Sequence, residues 1–380
     1  WTEVFTIMTQ NLPELGGISE QVEDEIAAAA LAIGASHAGV KAMSGSSGGG
    51  FSLMSEPLGL AEITETPLVL VEAMRAGPST GMPTKPEQSD MEHVLYTSQG
   101  DSHRIVFAPG TAAEAYTQTR KAFKIAYEYQ IPSVVLYDQK LGGELSNVPA
   151  SVFDEEPNAD LGSVLTEAEL ADAPHDDSGK YHRFQHDTEN GVSPRSLPGQ
   201  KGGRYLATGN EHMPAGHISE DPDNRVAQMN RRMQKVDSIR AELDADGEFN
   251  TVHGPEDADY GLVTFGSQQG TVEEAADVLN ENGHSVKVLG VSELMPFPKE
   301  QVSEFLDSVD EALVVEMTAS AQFRGLVQKE LGLYGDKMSS LLKYNGNPFE
   351  PDEIVDGFEA SIDGGDLPGT ETKIVPAAGD

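Results

Sequence analysis

With 380 residues the chain is long enough for two or three domains, each with a core of its own. Its 25 basic and 63 acidic residues give a formal charge of -38, which repels nucleic acid and anionic lipid over most of the surface, and no apolar run approaches the roughly 20 residues that a membrane span needs. The lack of cysteine excludes disulfides, thiolate chemistry and a cysteine-held iron–sulfur cluster within this chain, so an electron acceptor would sit on a partner.

The sequence opens at Trp1, inside a stretch to Leu12 that reads as a helix, and shows no secretory signal pattern. The expectation is a fragment or processed product lacking upstream residues, with a cytoplasmic location. Glu25 to Gly39 reads as an Ala-rich helix suited to close packing. Strands then alternate with helices: a strand over Pro67 to Met74, another over Arg104 to Ala108, a long helix from Thr111 to Tyr129 and a strand over Ser133 to Asp138. Short β-branched runs separated by helices predict a parallel α/β sheet, whose functional residues gather at the carboxyl ends of the strands.

From Gly142 to about Lys201 the periodicity stops, and Gly209 to Glu220 continues the same Gly-, Pro- and Asp-rich character. A connection this long is expected to bind or pack against something. Asp223 to Leu243 reads as a helix with a basic face of Arg225, Arg231, Arg232, Lys235 and Arg240, which serves either a subunit contact or internal salt bridges. A second α/β unit follows, with strands over Tyr260 to Ser267, Ser285 to Leu289 and Glu311 to Glu316. Helices over Thr271 to Asn282, Lys299 to Leu306 and Gln322 to Leu331 lie between and after them. The tail from Glu359 to Asp380 is expected to fray.

No Rossmann fingerprint and no phosphate loop ending in Gly-Lys-Ser/Thr is present. Ser44 to Gly50 is glycine-rich; it reads as a tight strand-to-helix crossing or as an anion-binding nest. Gly45-Ser46-Ser47-Gly48 is one residue out of register for an esterase elbow. Glu23, Asp24 and Glu25 stand at a helix start, where acids serve as caps, while a buried carboxylate among them would hold a proton for a ring nitrogen. Arg75 ends the strand over Pro67 to Met74 and is placed either to grip a substrate carboxylate or to form a structural ion pair. His182, His186, Glu211, His212 and His217 are spaced too loosely for a metal signature, and no metal site is expected.

Three runs resemble the alpha subunit of the 2-oxoacid:ferredoxin oxidoreductases, particularly the 2-oxoglutarate branch. They are Glu23-Asp24-Glu25-Ile26-Ala27-Ala28, Ser47-Gly48-Gly49-Gly50-Phe51-Ser52-Leu53-Met54-Ser55-Glu56, and Arg75-Ala76-Gly77-Pro78-Ser79-Thr80-Gly81-Met82-Pro83-Thr84-Lys85-Pro86-Glu87-Gln88. The runs Glu189 to Arg195, Gly209 to His212 and Leu294-Met295-Pro296-Phe297-Pro298 extend the similarity over nearly the whole chain. The acidic surface in turn resembles that of proteins from halophilic archaea.

The resemblance implies a pyrimidine-binding domain for thiamine diphosphate over residues 1–200, a connecting segment over 201–255, a transketolase C-terminal-like α/β domain over 256–358 and an acidic tail over 359–380. It implies that Glu23 bonds the aminopyrimidine, with Glu25 as the alternative register, and that Ser47, Gly48 and Phe51 shape the cofactor wall. Arg75 would bind the 2-oxoacid carboxylate, with Thr80 and Lys85 as companions. A beta subunit would hold the diphosphate, Mg2+ and an iron–sulfur cluster in an α2β2 assembly, with coenzyme A as co-substrate and ferredoxin as acceptor. The family's Tyr-Pro-Ile-Thr/Ser-Pro segment, expected just upstream of the opening helix, is not in the sequence. A self-contained thiamine enzyme is disfavoured, because no Gly-Asp-Gly followed about thirty residues later by Asn occurs. A non-catalytic interaction or regulatory subunit of the same fold is the alternative.

Overall fold

The computed structural model describes residues 1–154, 158–247, 250–363 and 372–377. The first unit runs through α1 (Thr2–Asn11), α2 (Glu25–His37), β1 (Met43–Ser46), α3 (Gly48–Leu53), α4 (Ser55–Ile63), β2 (Leu68–Met74), α5 (Met91–Tyr96), β3 (Ile105–Phe107), α6 (Ala112–Tyr129) and β4 (Pro132–Asp138). Two short helices, α7 (Gln139–Gly143) and α8 (Glu167–Asp172), interrupt the long connection before α9 (Pro222–Asp246). The second unit comprises β5 (Thr251–His253), β6 (Tyr260–Phe265), α10 (Gln269–Glu281), β7 (Val286–Val291), β8 (Glu293–Met295), α11 (Lys299–Asp307), β9 (Glu311–Glu316), α12 (Gln322–Leu331), β10 (Met338–Lys343), α13 (Pro351–Asp363) and β11 (Thr372–Val375).

The first sheet has the order β1-β2-β4-β3-β8 and the second β11-β10-β9-β6-β7-β5. Neighbours within β1 to β4 and within β10-β9-β6-β7 pair in parallel, while β8, β11 and β5 add antiparallel edges. Helices cover both faces of the first sheet, so the central strands β2, β3 and β4 are largely apolar on both faces rather than alternating. Leu68, Leu70 and Met74 of β2 pack with Ala29, Phe51 and Met91, whereas Val69 and Val71 face Ala122 and Ile125 of α6. The first of these clusters also contains Phe265, Phe297, Phe323 and Leu326 of the second unit, so one core joins the two. Helix starts follow the usual chemistry. Asp24 accepts from the Ala27 N–H at 2.8 Å, Thr111 caps α6, and Asp221 caps α9 with Pro222 at its first position.

Several elements were not anticipated. β8 falls in the Met-Pro-Phe-Pro region and crosses to the first sheet, where Val106 registers with Met295. β10 and α13 also lie outside the expected set, and the tail does not simply fray: α13 continues to Asp363 and β11 pairs with β10. Residues 364–371 and 378–380 of that tail lie outside the described residues.

The long connection is irregular but packed. Arg183 is buried and donates to Ser193 O at 3.0 Å, Glu65 O at 2.9 Å and Gln130 Oε1 at 2.6 Å. The basic face of α9 turns inward over the same place. Arg231 forms a two-pronged ion pair with the Glu65 carboxylate and Lys235 a second, all three side chains being at most 3 % exposed. Arg225 and Arg232 bond Glu211, and Arg240 lies 3.9 Å from Asp237, so internal pairing accounts for the basic face. Burial alone would raise the Glu65 pKa, yet the charges of Arg231 and Lys235 hold it well below the usual carboxylate range.

Glu65→Gln should therefore cost about 3–5 kcal/mol, because it strands two buried cations; the shift in denaturant midpoint measures it. A depressed carboxylate contributes stability above its unfolded pKa and loses it as pH falls through the lower folded value. The wild type should accordingly lose stability on acidification below the ordinary glutamate range, and Glu65→Gln should flatten that limb.

Candidate active site

The carboxyl ends of β1 and β2 lie side by side, with Ser46 in register with Glu72. Register partners on parallel strands project to the same face, here the one covered by α2, α3 and α5. Glu25, at the first position of α2, accepts a hydrogen bond from Ser46 Oγ at 3.0 Å. Past Ser46 the chain turns into α3 through three glycines, of which Gly48 and Gly50 leave no room for a side chain. A Cβ on Gly50 would strike Ser46 Oγ and Glu25 Oε1, and one on Gly48 would come within 2.5 Å of Asp90 Oδ2, while Gly49 has nothing within 4 Å. The result is a flat wall with the Glu25–Ser46 pair behind it.

Arg75 follows β2 directly and opens a loop back to Asp90. The loop is closed by its own backbone, with Ala76 N–H donating to Lys85 O at 3.0 Å and Met82 N–H to Ala76 O at 2.8 Å. It is bolted to the second unit through Gln88, which is fully buried. The Gln88 side chain donates to Phe265 O at 2.8 Å and accepts from Met317 N–H at 2.9 Å, and its own N–H donates to Met317 O at 2.8 Å. Gln322 Nε2 adds a bond to Ser89 O at 2.8 Å.

Between wall and loop is a cleft of about 220 Å³ lined by Gly48, Gly49, Ser52, Arg75, Gly77, Pro78, Ser79, Asp90 and His93. Ser52 Oγ lies 3.2 Å from His93 Nε2 and donates to Gly48 O at 2.9 Å. Asp90 precedes α5 without making a side-chain capping bond. Burial pushes its carboxyl up, against the pull of His93, and burial pushes Glu72 well up, with the Asp90 charge adding to it.

Sequence reasoning and structure meet in part. Gly48 and Arg75 share the cleft, and Ser47 is half-buried at the start of α3. Of the two candidate registers, Glu25 reaches the wall; Glu23 is exposed ahead of the Asp24 cap. Phe51 is fully buried behind the wall with its ring edge-on to His93, so it supports the site from beneath. Thr80 and Lys85 are exposed on the outer part of the loop rather than among the cleft residues, and Lys85 Nζ donates to Asn347 Oδ1 at 3.0 Å. Glu72, Asp90, His93 and Ser52 were not anticipated. Glu72 had a signal, being the one charge in the apolar run Leu-Val-Leu-Val-Glu-Ala-Met.

The histidine-rich connection uses its polar groups for packing. His186 Nε2 lies 3.0 Å from Asn224 Oδ1, His217 Nε2 lies 2.8 Å from Asp176 Oδ2, and His212 is buried with its ring 4.0 Å from that of Phe184. Among the described residues no group of three or more His, Cys, Asp or Glu is arranged to hold a metal ion.

A family model described as pyruvate flavodoxin/ferredoxin oxidoreductase, thiamine diphosphate-binding, matches residues 1–231, and one for the pyruvate:ferredoxin oxidoreductase core domain II matches residues 258–354. The chain belongs to the 2-oxoacid:ferredoxin oxidoreductase family. Its fold is thus a thiamine diphosphate-binding α/β domain followed by a transketolase-like α/β domain. A 2-oxoacid:ferredoxin oxidoreductase alpha subunit of Sulfurisphaera tokodaii is 34% identical over 347 residues, covering 91% of this chain and 52% of the relative. A 2-oxoglutarate synthase subunit KorA of Archaeoglobus fulgidus is 30% identical over 361 residues, covering 95% of this chain and 91% of the relative. Among solved structures, a 2-oxoglutarate:ferredoxin oxidoreductase of Magnetococcus marinus with 2-oxoglutarate, coenzyme A and succinyl-CoA bound superposes with a TM-score of 0.81. It is 32% identical, covering 94% of this chain and 59% of that one. The chain spans about half the length of several of the family relatives it matches.

Because Gln88 makes two buried side-chain bonds, Gln88→Ala should cost about 2–4 kcal/mol, including the groups it leaves unpaired. Faster hydrogen exchange at the Met317 amide, together with a lower denaturant midpoint, is the expected outcome.

Proposed function

We propose that this chain is the cofactor- and substrate-gripping subunit of a thiamine diphosphate-dependent 2-oxoacid:ferredoxin oxidoreductase, which converts 2-oxoglutarate or pyruvate to acyl-CoA and CO2 and reduces ferredoxin. One observation carries the reading: the turn after β1 forms a glycine wall with the Glu25 carboxylate held behind it by Ser46, and Arg75, directly after the neighbouring β2, lines the cleft beside that wall. The wall fits a flat heteroaromatic ring, since Gly48 and Gly49 line the cleft without presenting a side chain to it. When bound, thiamine diphosphate supplies the electron sink that decarboxylation of a 2-oxoacid requires and that side chains lack.

The chain's own residues divide the remaining work. Glu25, in preference to Glu23, takes the proton-transfer role. One of its oxygens accepts from Ser46, which fixes the carboxylate and leaves the other oxygen for a ring proton. Arg75 grips the substrate carboxylate with a fork of N–H donors, and its Nε is buried without a protein partner. His93 and Ser52 form the opposite lip of the cleft. Ser47, Gly48 and Phe51 set the position of the wall, and Thr80 and Lys85 set the outer course of the loop. The diphosphate with Mg2+ and an iron–sulfur cluster belong in this reading to a beta subunit, in a cytoplasmic α2β2 assembly that passes electrons to ferredoxin and the acyl group to coenzyme A.

Combining the chain with its beta subunit in molar KCl and following coenzyme A-dependent ferredoxin reduction with 2-oxoglutarate and with pyruvate tests the proposal. Turnover with one of them names the substrate; silence with both, with cofactor and cluster present, would favour a non-catalytic subunit. Glu25→Gln should lower turnover about 100-fold or more with little change in KM, while Glu23→Gln stays near wild type. The opposite ranking would return the role to Glu23. Arg75→Ala should raise KM for the 2-oxoacid by at least tenfold. We also assign the chain to a halophilic setting on its charge of -38: screening of that charge should raise the melting temperature as KCl goes from about 0.1 M to molar concentrations, and a flat response would count against it.

A further inference from the structure

Glu72 has no place in the chemistry above, yet it is 0 % exposed and no N–H or hydroxyl donor reaches either of its carboxyl oxygens, while the Asp90 carboxyl lies within side-chain hydrogen-bonding reach of it. A buried ionised carboxylate without partners is among the costlier arrangements a protein can hold, so the group must either be neutral or act on something nearby. What is nearby is the cleft. Glu72 stands three residues before Arg75 on β2, opposite Ser46 in the sheet register, on the face that carries α3 and α5. Asp90, which packs against Gly48 in the cleft lining, is the acidic group whose charge acts on it most strongly.

The charge count around Arg75 decides what this arrangement does. With Glu72 and Asp90 both ionised, the arginine is over-neutralised and the local sum is negative, so an incoming carboxylate is repelled. With one proton held between them the sum is zero, and a second proton makes it positive. We propose that Glu72 and Asp90 form a one-proton carboxyl pair that sets the affinity of Arg75 for an anionic substrate, with Glu72 acting as a positioning residue that keeps the proton out of water. The inference rests on the function proposed above for Arg75.

Other groups face the pair. Arg75 favours ionisation of Glu72, and His93 and Arg75 favour that of Asp90. Tyr137 on β4 is pushed up to about 12 by burial and then by the Glu72 charge, and is neutral near pH 7. Glu25 stands one step further along the same face, behind Ser46. Burial raises both members of the pair; Asp90 raises Glu72 further, whereas the hydrogen bond from Glu72 lowers Asp90, so the proton resides on Glu72.

The sign follows directly. As pH rises through the raised titration of the pair, the second negative charge appears beside Arg75 and the affinity for a carboxylate falls. In Glu72→Gln no second charge can appear, so that part of the pH dependence should vanish, whereas any contribution from His93 persists. A glutamine copies the shape of a protonated glutamate, so the variant is expected to fold.

Infrared titration of the full chain, reading the C=O stretch of protonated carboxyl groups, tests the pair without cofactor or partner. The wild type should hold, at neutral pH, a carboxylic-acid band that is absent from Glu72→Gln, and in Asp90→Asn that band should titrate at lower pH. The difference between variants separates Glu72 from Asp138 and Glu316, whose carboxyls burial also raises. A neutral-pH spectrum unchanged by Glu72→Gln would overturn the pair, as would a titration unmoved by Asp90→Asn. In the assembled enzyme, the rise of the 2-oxoglutarate KM with pH should flatten at least threefold in Glu72→Gln. An unaltered profile in active enzyme would overturn the link to Arg75, whereas absence of turnover in the wild type would instead refute the proposed function, leaving the infrared result to judge the pair.

Discussion

Parallel pairing of β1 with β2 is the constraint on which the site depends. It sets Ser46 beside Glu72, two residues before β2 ends, so that the glycine turn into α3 and the loop from Arg75 leave the same end of the sheet. A slip of β2 by one residue would send Glu72 to the α6 face and bring Val69 and Val71 out of their contacts with Ala122 and Ile125. The apolar alternation of β2 therefore fixes more than stability. It decides that Glu72 shares a face with Asp90 and that the chain reaches the cleft at Arg75.

The second organising fact is how the few cations are distributed. With 25 basic residues against 63 acidic ones, the chain places several arginines and lysines inside rather than on its acidic exterior. Arg231, Lys235 and Arg183 converge on Glu65 and its backbone, Arg195 donates to Ser36 O and Leu161 O at 3.1 Å each, and Arg104 donates to Val94 O and Thr97 O. These bonds hold the irregular connection and α9 against the first sheet, where an apolar segment would otherwise be needed. Arg75 differs from them in opening onto a cleft.

Much of the fold was legible because its strands are short apolar runs and its helices have recognisable starts. β2, β4, β6, β9, α2, α6, α9 and α12 appear within a few residues of where periodicity puts them. β8 was not legible: three residues beside Met-Pro-Phe-Pro look like loop, since proline is a poor strand residue, and only the edge of the first sheet gives them a partner. The site divided along the same line. Gly48 and Arg75 could be read from local motifs, but the choice of Glu25 over Glu23 depends on which side chain points back toward Ser46, and the approach of Asp90 depends on a loop closed by contacts with the second unit. Such placements are tertiary, and no spacing along the chain encodes them.

The strand crossing at β8 also bears on how the molecule is made. Because Glu293–Met295 completes the first sheet, that sheet keeps an open edge at Ile105–Phe107 until residues 293–295 have left the ribosome. The contacts that seal it are long in sequence, so loop closure must be met late and the edge stays available to other strands in the interval. A strong negative charge on the nascent chain opposes such encounters between copies, which gives the acidic composition a part in assembly as well as in the finished surface.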